Sequence, residues 1–236
     1  MVSIQDLFKY KKPVEIKDPK GNAVMTLWVR LLGDHDLSES YRMGRLASAK
    51  IRKELRNTES DEYIAEVSLI EDGASKDLIE LIKQSQQSDV VTQASSAIDR
   101  KDIPKIEDFA ADPDAPTLEE QEKRDIEELQ SELDYQKEIR EYIDTRNLEI
   151  VERLQALDRE QLIEESRKAL SNLRALTTFI QEVVNQKSFR GTYIDKECKK
   201  RAFEDYDEYL NQYSSLKIQL EAAYQDLEIN PDELKN

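Results

Sequence analysis

Apolar residues recur at three- and four-residue intervals along most of this chain, and its N-terminal part departs from that rhythm in a different way from the rest. There Val14–Ile16 and Val24–Leu31 form β-type runs separated by Asp18-Pro19-Lys20-Gly21-Asn22. Proline presets one turn dihedral and Gly or Asn accepts a positive one, so the pattern predicts a β-hairpin. Trp28, in the second run, reads as a core anchor between the hairpin and the following helix, with a binding-surface tryptophan as the alternative. After Gly33-Asp34-His35-Asp36, the residues Leu37, Tyr41, Gly44, Ser48, Ile51 and Leu55 share one side of a helix reaching about Asn57. Asp61–Ile70 predicts a short helix ended by Asp72-Gly73, and Ala74 to about Asp99 predicts another. Leu78, Ile79, Leu81 and Ile82 crowd the first half of that helix. Its second half, Gln84 to Ser96, has few large apolar groups and is expected to be weakly held.

Pro104, Pro113 and Pro116 then interrupt any helix, so residues 101–116 read as a flexible linker. The linker would separate an N-terminal hairpin-and-helix domain, 1–100, from a long-helix domain, 117–236. Thr117 and Glu120 form a capping box that restarts helix. Ile126, Leu129, Leu133, Ile143, Ile150, Leu154 and Leu157 fit a seven-residue repeat, with Gln136, Arg140 and Asn147 at the remaining seam positions. Three polar seam residues favour an antiparallel hairpin or bundle helix over a long dimer zipper. Asp158-Arg159-Glu160-Gln161 offers a second capping box and places a joint near Leu157. Beyond it Leu162, Ala169, Leu170, Leu173, Leu176, Thr177, Ile180 and Val184 form a cleaner stripe. A turn is expected at Ser188–Thr192 around Gly191. A last helix, about Asp195 to Glu228, would align Ala202, Tyr206, Tyr209, Tyr213, Leu216, Leu220, Ala223 and Leu227 as an aromatic core seam. The fold class expected is mainly α, with a small N-terminal β-hairpin plus helices and then a long acidic helical hairpin or bundle.

Charge sharpens this picture. The net charge is −16, yet residues 1–56 carry 12 Lys/Arg against 7 Asp/Glu, so the excess acid lies beyond them. Such asymmetry points to a protein partner or to self-association between ends. The acidic majority argues against nucleic acid, whose phosphates it would repel. No apolar run approaches the ~20 residues that span a bilayer, and no secretory signal is read at the start, so a cytoplasmic protein is expected.

Chemistry finds little to work with. Five glycines, one histidine and one cysteine leave no phosphate loop, nucleophile elbow or metal cluster to assemble. His35 reads as a capping or surface residue and Cys198 as a surface thiol, since each is alone of its kind. Carboxylate pairs are uninformative among 51 acids. No catalytic residue, cofactor or metal is therefore expected. Partner binding is expected from Arg42, Arg45, Arg52 and Arg56 on the basic helix, which would steer an acidic surface. It is also expected from the apolar seams Leu170, Leu173, Ile180, Tyr206, Tyr213 and Leu220, opened to admit a client helix.

Three segments carry a family likeness. Met25-Thr26-Leu27-Trp28-Val29-Arg30-Leu31 and Arg45-Leu46-Ala47-Ser48-Ala49-Lys50-Ile51-Arg52 are two of them. The closing Asp226-Leu227-Glu228-Ile229-Asn230-Pro231-Asp232-Glu233-Leu234-Lys235-Asn236 is the third. Together they resemble the tail assembly chaperones of long-tailed bacteriophages. The resemblance implies a non-virion helper in the host cytoplasm that keeps the tape-measure protein soluble while tail-tube subunits polymerise around it. A virion structural protein of the tail or neck, and a coiled-coil scaffold, are the competing expectations.

Overall fold

The computed structural model describes residues 11–18, 20–98 and 118–229, without the side chains of 118–122 and 229. The protein is mainly helical with a small N-terminal hairpin. It forms two compact units, one of Met1–Tyr63 with Leu173–Asn236, the other Ile64–Asn172. The predicted boundary at 101–116 lies outside the described residues, and the observed division is a different one. The chain leaves the first unit after Tyr63 and re-enters it at Leu173, within a helix.

In the first unit, strand β1 (Lys11–Lys17) pairs antiparallel with β2 (Ala23–Arg30), with Lys11 opposite Arg30 and Ile16 opposite Met25. The turn between them is held by Asp18. Its carboxylate accepts from the amides of Lys20 and Asn22, both at 2.8 Å, while Gly21 takes a φ of +86°. Alternation sends Leu27 and Val29 inward. They meet Ile16, Phe203, Tyr209, Leu220, Tyr224 and Leu227 in one core. Trp28 therefore lies on the other face of the sheet, half-buried, with the Lys196 ammonium 5.9 Å from its ring centre. It is not the anchor between hairpin and helix that its size promised.

Helix α1 (Asp34–Glu54) stops three residues short of the expected end and packs against the second half of α5 (Arg159–Gly191). A Cβ on Gly44 would stand 2.6 Å from Val183 Cγ2 and 2.9 Å from Phe179 Cδ2. The glycine is there because the two helices touch.

The rest of this unit departs from the sequence reading. No turn forms before Gly191. Instead α5 runs to that residue, and Thr192–Tyr193 make a third strand, β3, with Trp28 opposite Tyr193 and Val29 opposite Thr192. The single last helix is replaced by a loop, a short α6 (Tyr206–Leu210) and α7 (Ser214–Ile229). The loop is built by Asp195, which accepts from the amides of Lys199 at 3.1 Å and Lys200 at 2.6 Å, donors that a helix would use elsewhere. Asp205 then caps α6, accepting from the Glu208 amide at 2.8 Å.

The second unit begins within a π-helical turn (Tyr63–Val67) that leads into α2 (Ser68–Asp72), followed by α3 (Ser75–Ala97). Helix α4 (Leu118–Gln155) and the first part of α5 complete the unit. Ile70, Leu78, Ile82, Leu154, Leu162 and Ala169 form its core. The second half of α3 is helical to Ala97 and buries Val90 and Ala94, so it is better held than its composition predicts.

The joint between α4 and α5 falls where expected. Asp158 Oδ1 accepts from the Gln161 amide at 2.9 Å, and Gln161 Oε1 accepts from the Asp158 amide at 3.2 Å. Arg159 ties the joint to the end of α2, donating to the carbonyls of Glu71 at 2.9 Å and Gly73 at 2.7 Å. The Thr117–Glu120 box falls outside the described residues.

Candidate protein-docking surfaces

Helix α1 presents its arginines to water. Arg42 is committed to its own helix, forming an ion pair with Glu39 at 2.7 Å that lowers the Glu39 carboxyl from its usual range. Arg45, Arg52 and Arg56 are exposed and make no ion pair with a described residue. A spacing of seven puts Arg45 and Arg52 on one side of the helix, and Arg56 follows in the turn after its end rather than on the helix as expected. With no acidic partner among the described residues, these three arginines can meet one from outside.

The expected apolar contact residues are dispersed. Leu170 packs against the core of the second unit, and Leu173 begins the part of α5 that belongs to the first. Leu220 is fully buried in the first unit's core, so contact with a partner would require that core to open. Tyr206 packs on the same core, 5.5 Å from Phe189 and 6.1 Å from Tyr209 between ring centres. Its hydroxyl donates to Glu182 at 2.9 Å, and burial, reinforced by the Glu182 charge, pushes its phenol up. Glu182 in turn accepts from Gln186 at 2.9 Å, whose amide oxygen accepts from Arg190 at 3.1 Å. Arg190 reaches Asp36 at 3.3 Å. This chain of bonds ties α6, α5 and α1 together. Tyr206 and Leu220 thus hold the fold, whereas Ile180 is 51% and Tyr213 84% exposed. Leu176, one turn before Ile180, is 49% exposed.

The chain matches no family model, no curated protein and no solved structure.

The two residues singled out for chemistry occupy ordinary places. His35 is exposed in the first turn of α1. Cys198 is buried rather than on the surface, with φ +53°, and desolvation raises its thiol despite Lys11 and Arg30 nearby. Among the described residues no three His, Cys, Asp or Glu side chains converge on a point that would hold a metal ion. No helix among them is long and apolar enough to cross a membrane. A polar groove of about 340 Å³ beside α3 and α4 has Asp89, Gln93 and Glu149 in its wall. Its Arg146 is already engaged by Glu149 at 2.7 Å and Tyr142 at 3.3 Å.

One surface was not assigned to binding from sequence. Ile126, Leu129 and Leu133 on α4 are 66%, 65% and 63% exposed and belong to neither core. Their heptad spacing was legible. Whether that seam was covered depended on where α3 ends, which periodicity does not encode.

Proposed function

We propose that this chain is a non-catalytic protein-binding protein that holds a hydrophobic helical client in solution. Its role would be that of a phage tail assembly chaperone acting on the tape-measure protein in the host cytoplasm. The observation that carries the reading is the pair Leu176 and Ile180, each about half exposed one turn apart. The same helix buries Ala175 and Val183, so its core face is already filled. Apolar groups left over at helical spacing suit docking of an amphipathic helix. Arg45, Arg52 and Arg56, which pair with no acid among the described residues, support the same reading by steering an acidic stretch of client toward the first unit. The phage context rests on the sequence resemblance alone.

Co-expression with a tape-measure protein of a long-tailed phage tests this. The wild-type chain should keep that protein in the soluble fraction, and Leu176→Asp with Ile180→Asp should release it to the pellet. Reversal at Arg45 and Arg52 should slow association, with the difference shrinking as salt rises. Equal client solubility with and without the chain contradicts the reading. Finding the chain stoichiometrically in purified particles would favour a tail or neck component instead.

A further inference from the structure

The seam of α4 is buried over only part of its length. Leu154 is fully buried and Ile150 and Leu157 pack on the same core. Helix α3, which runs alongside, ends at Ala97, and Ile98 lines a groove with Glu138 and Tyr142. Toward the start of α4 the same register continues through Leu133, Leu129 and Ile126, all nearly two-thirds exposed. About 20 residues of helix, roughly 30 Å long, thus carry an apolar stripe that joins no core among the described residues. In proteins most helical stability comes from packing of an amphipathic face rather than from propensity.

We propose that residues 123–140 of α4 form a self-association face that pairs in parallel, in register, with the same residues of a second copy. In heptad terms Ile126, Leu133 and Arg140 take a positions, and Leu129 and Gln136 take d positions. Asp125 and Glu132 then fall at g, while Lys123, Gln130 and Lys137 fall at e. In a parallel pair each g residue faces the following e residue of the partner helix. Glu132 then meets Lys137 twice by symmetry, and Asp125 meets Gln130. An antiparallel pair would set g against g and e against e, bringing acid to acid and lysine to lysine. The flanking charges therefore favour one orientation and oppose the other. Glu132 now accepts from Gln136 at 2.8 Å, and Lys137 lies 3.8 Å from Glu141. Both of these contacts lie within the helix and are exposed. Gln136 can hydrogen-bond its own copy. Arg140 opposes its own copy and ends the zipper near the point where α3 takes over the seam. The face is short, so the association is concentration-dependent rather than obligate.

Sedimentation equilibrium of the full chain over a wide concentration range tests the proposal. A monomer–dimer equilibrium is expected for the wild type. Leu129→Glu with Leu133→Glu should give a monomer whose circular dichroism still shows both units folded. Glu132→Lys should raise the dissociation constant about tenfold, and adding Lys137→Glu should restore it. Orientation is read from Leu129→Cys in a Cys198→Ala background, which should oxidise to a self-linked dimer. A chain monomeric at every concentration overturns the proposal. So does a dimer indifferent to the Leu129 and Leu133 changes, or one whose Cys at 129 fails to cross-link to itself.

Discussion

Gly191 has no room for a side chain, and the reason differs from that at Gly44. A Cβ at Gly191 would lie 2.9 Å from the Arg30 carbonyl oxygen and 2.8 Å from Tyr224 Cε2, so backbone in β2 would have to move. At Gly44 the obstacles are the side chains of Val183 and Phe179, and alanine would recover about 1 kcal/mol of helix propensity. Gly191→Ala should therefore destabilise the chain by about 2–3 kcal/mol, and Gly44→Ala by about 1 kcal/mol, measured by urea unfolding. Equal midpoints for the two variants would contradict that ordering. The buried phenols make a second prediction. Burial raises Tyr206, Tyr209 and Tyr224 above the usual phenol range. As pH passes the ordinary phenol value of about 10, the unfolded chain releases these protons while the folded chain keeps them. Stability is thus complete below that pH and falls above it. Tyrosinate absorbance should show these three titrating only as circular dichroism is lost, and their free titration in the folded chain would contradict the burial argument.

The elements that sequence reveals best here are those whose signal is local. The hairpin turn needs only Asp18, Gly21 and Asn22, and the joint before α5 needs only Asp158 and Gln161. Asp158→Ala should cost about 1 kcal/mol in urea unfolding. Gln161→Ala added to it should cost less than its own single effect, because the two residues serve one reciprocal pair. Full additivity would mean that the pair does not act as a box. The C-terminal element was misread because Tyr206, Tyr209 and Leu216 keep helical spacing across a break. That break lies between Leu210 and Ser214, and Asp195 and Asp205, whose carboxylates take amides from the following residues, keep the stretch before Tyr206 out of the helix. Strand β3 was invisible for another reason. Two residues carry no periodicity, and Thr192–Tyr193 became a strand only because β2 offered an open edge. The partner-binding reading of Tyr206 and Leu220 met the same limit, since a seam that closes on a core and a seam left open look alike in one dimension.

Across the whole molecule, two units each close a core of their own and leave different groups unused. The first leaves Arg45, Arg52 and Arg56 and the pair Leu176 and Ile180, and the second leaves Ile126, Leu129 and Leu133. The net charge of −16 opposes non-specific association between copies, and that repulsion weakens as salt rises. The proposed holding of a client needs no turnover, so the effect should saturate at a fixed ratio to that client. The direct measurement is light scattering of a purified tape-measure protein diluted from denaturant, with increasing amounts of this chain and no nucleotide present. Scattering should fall in proportion to added protein, reach its floor at a fixed stoichiometry, and return when Leu176 and Ile180 are both changed to Asp. Undiminished scattering at a molar excess of the folded wild-type chain would contradict the account.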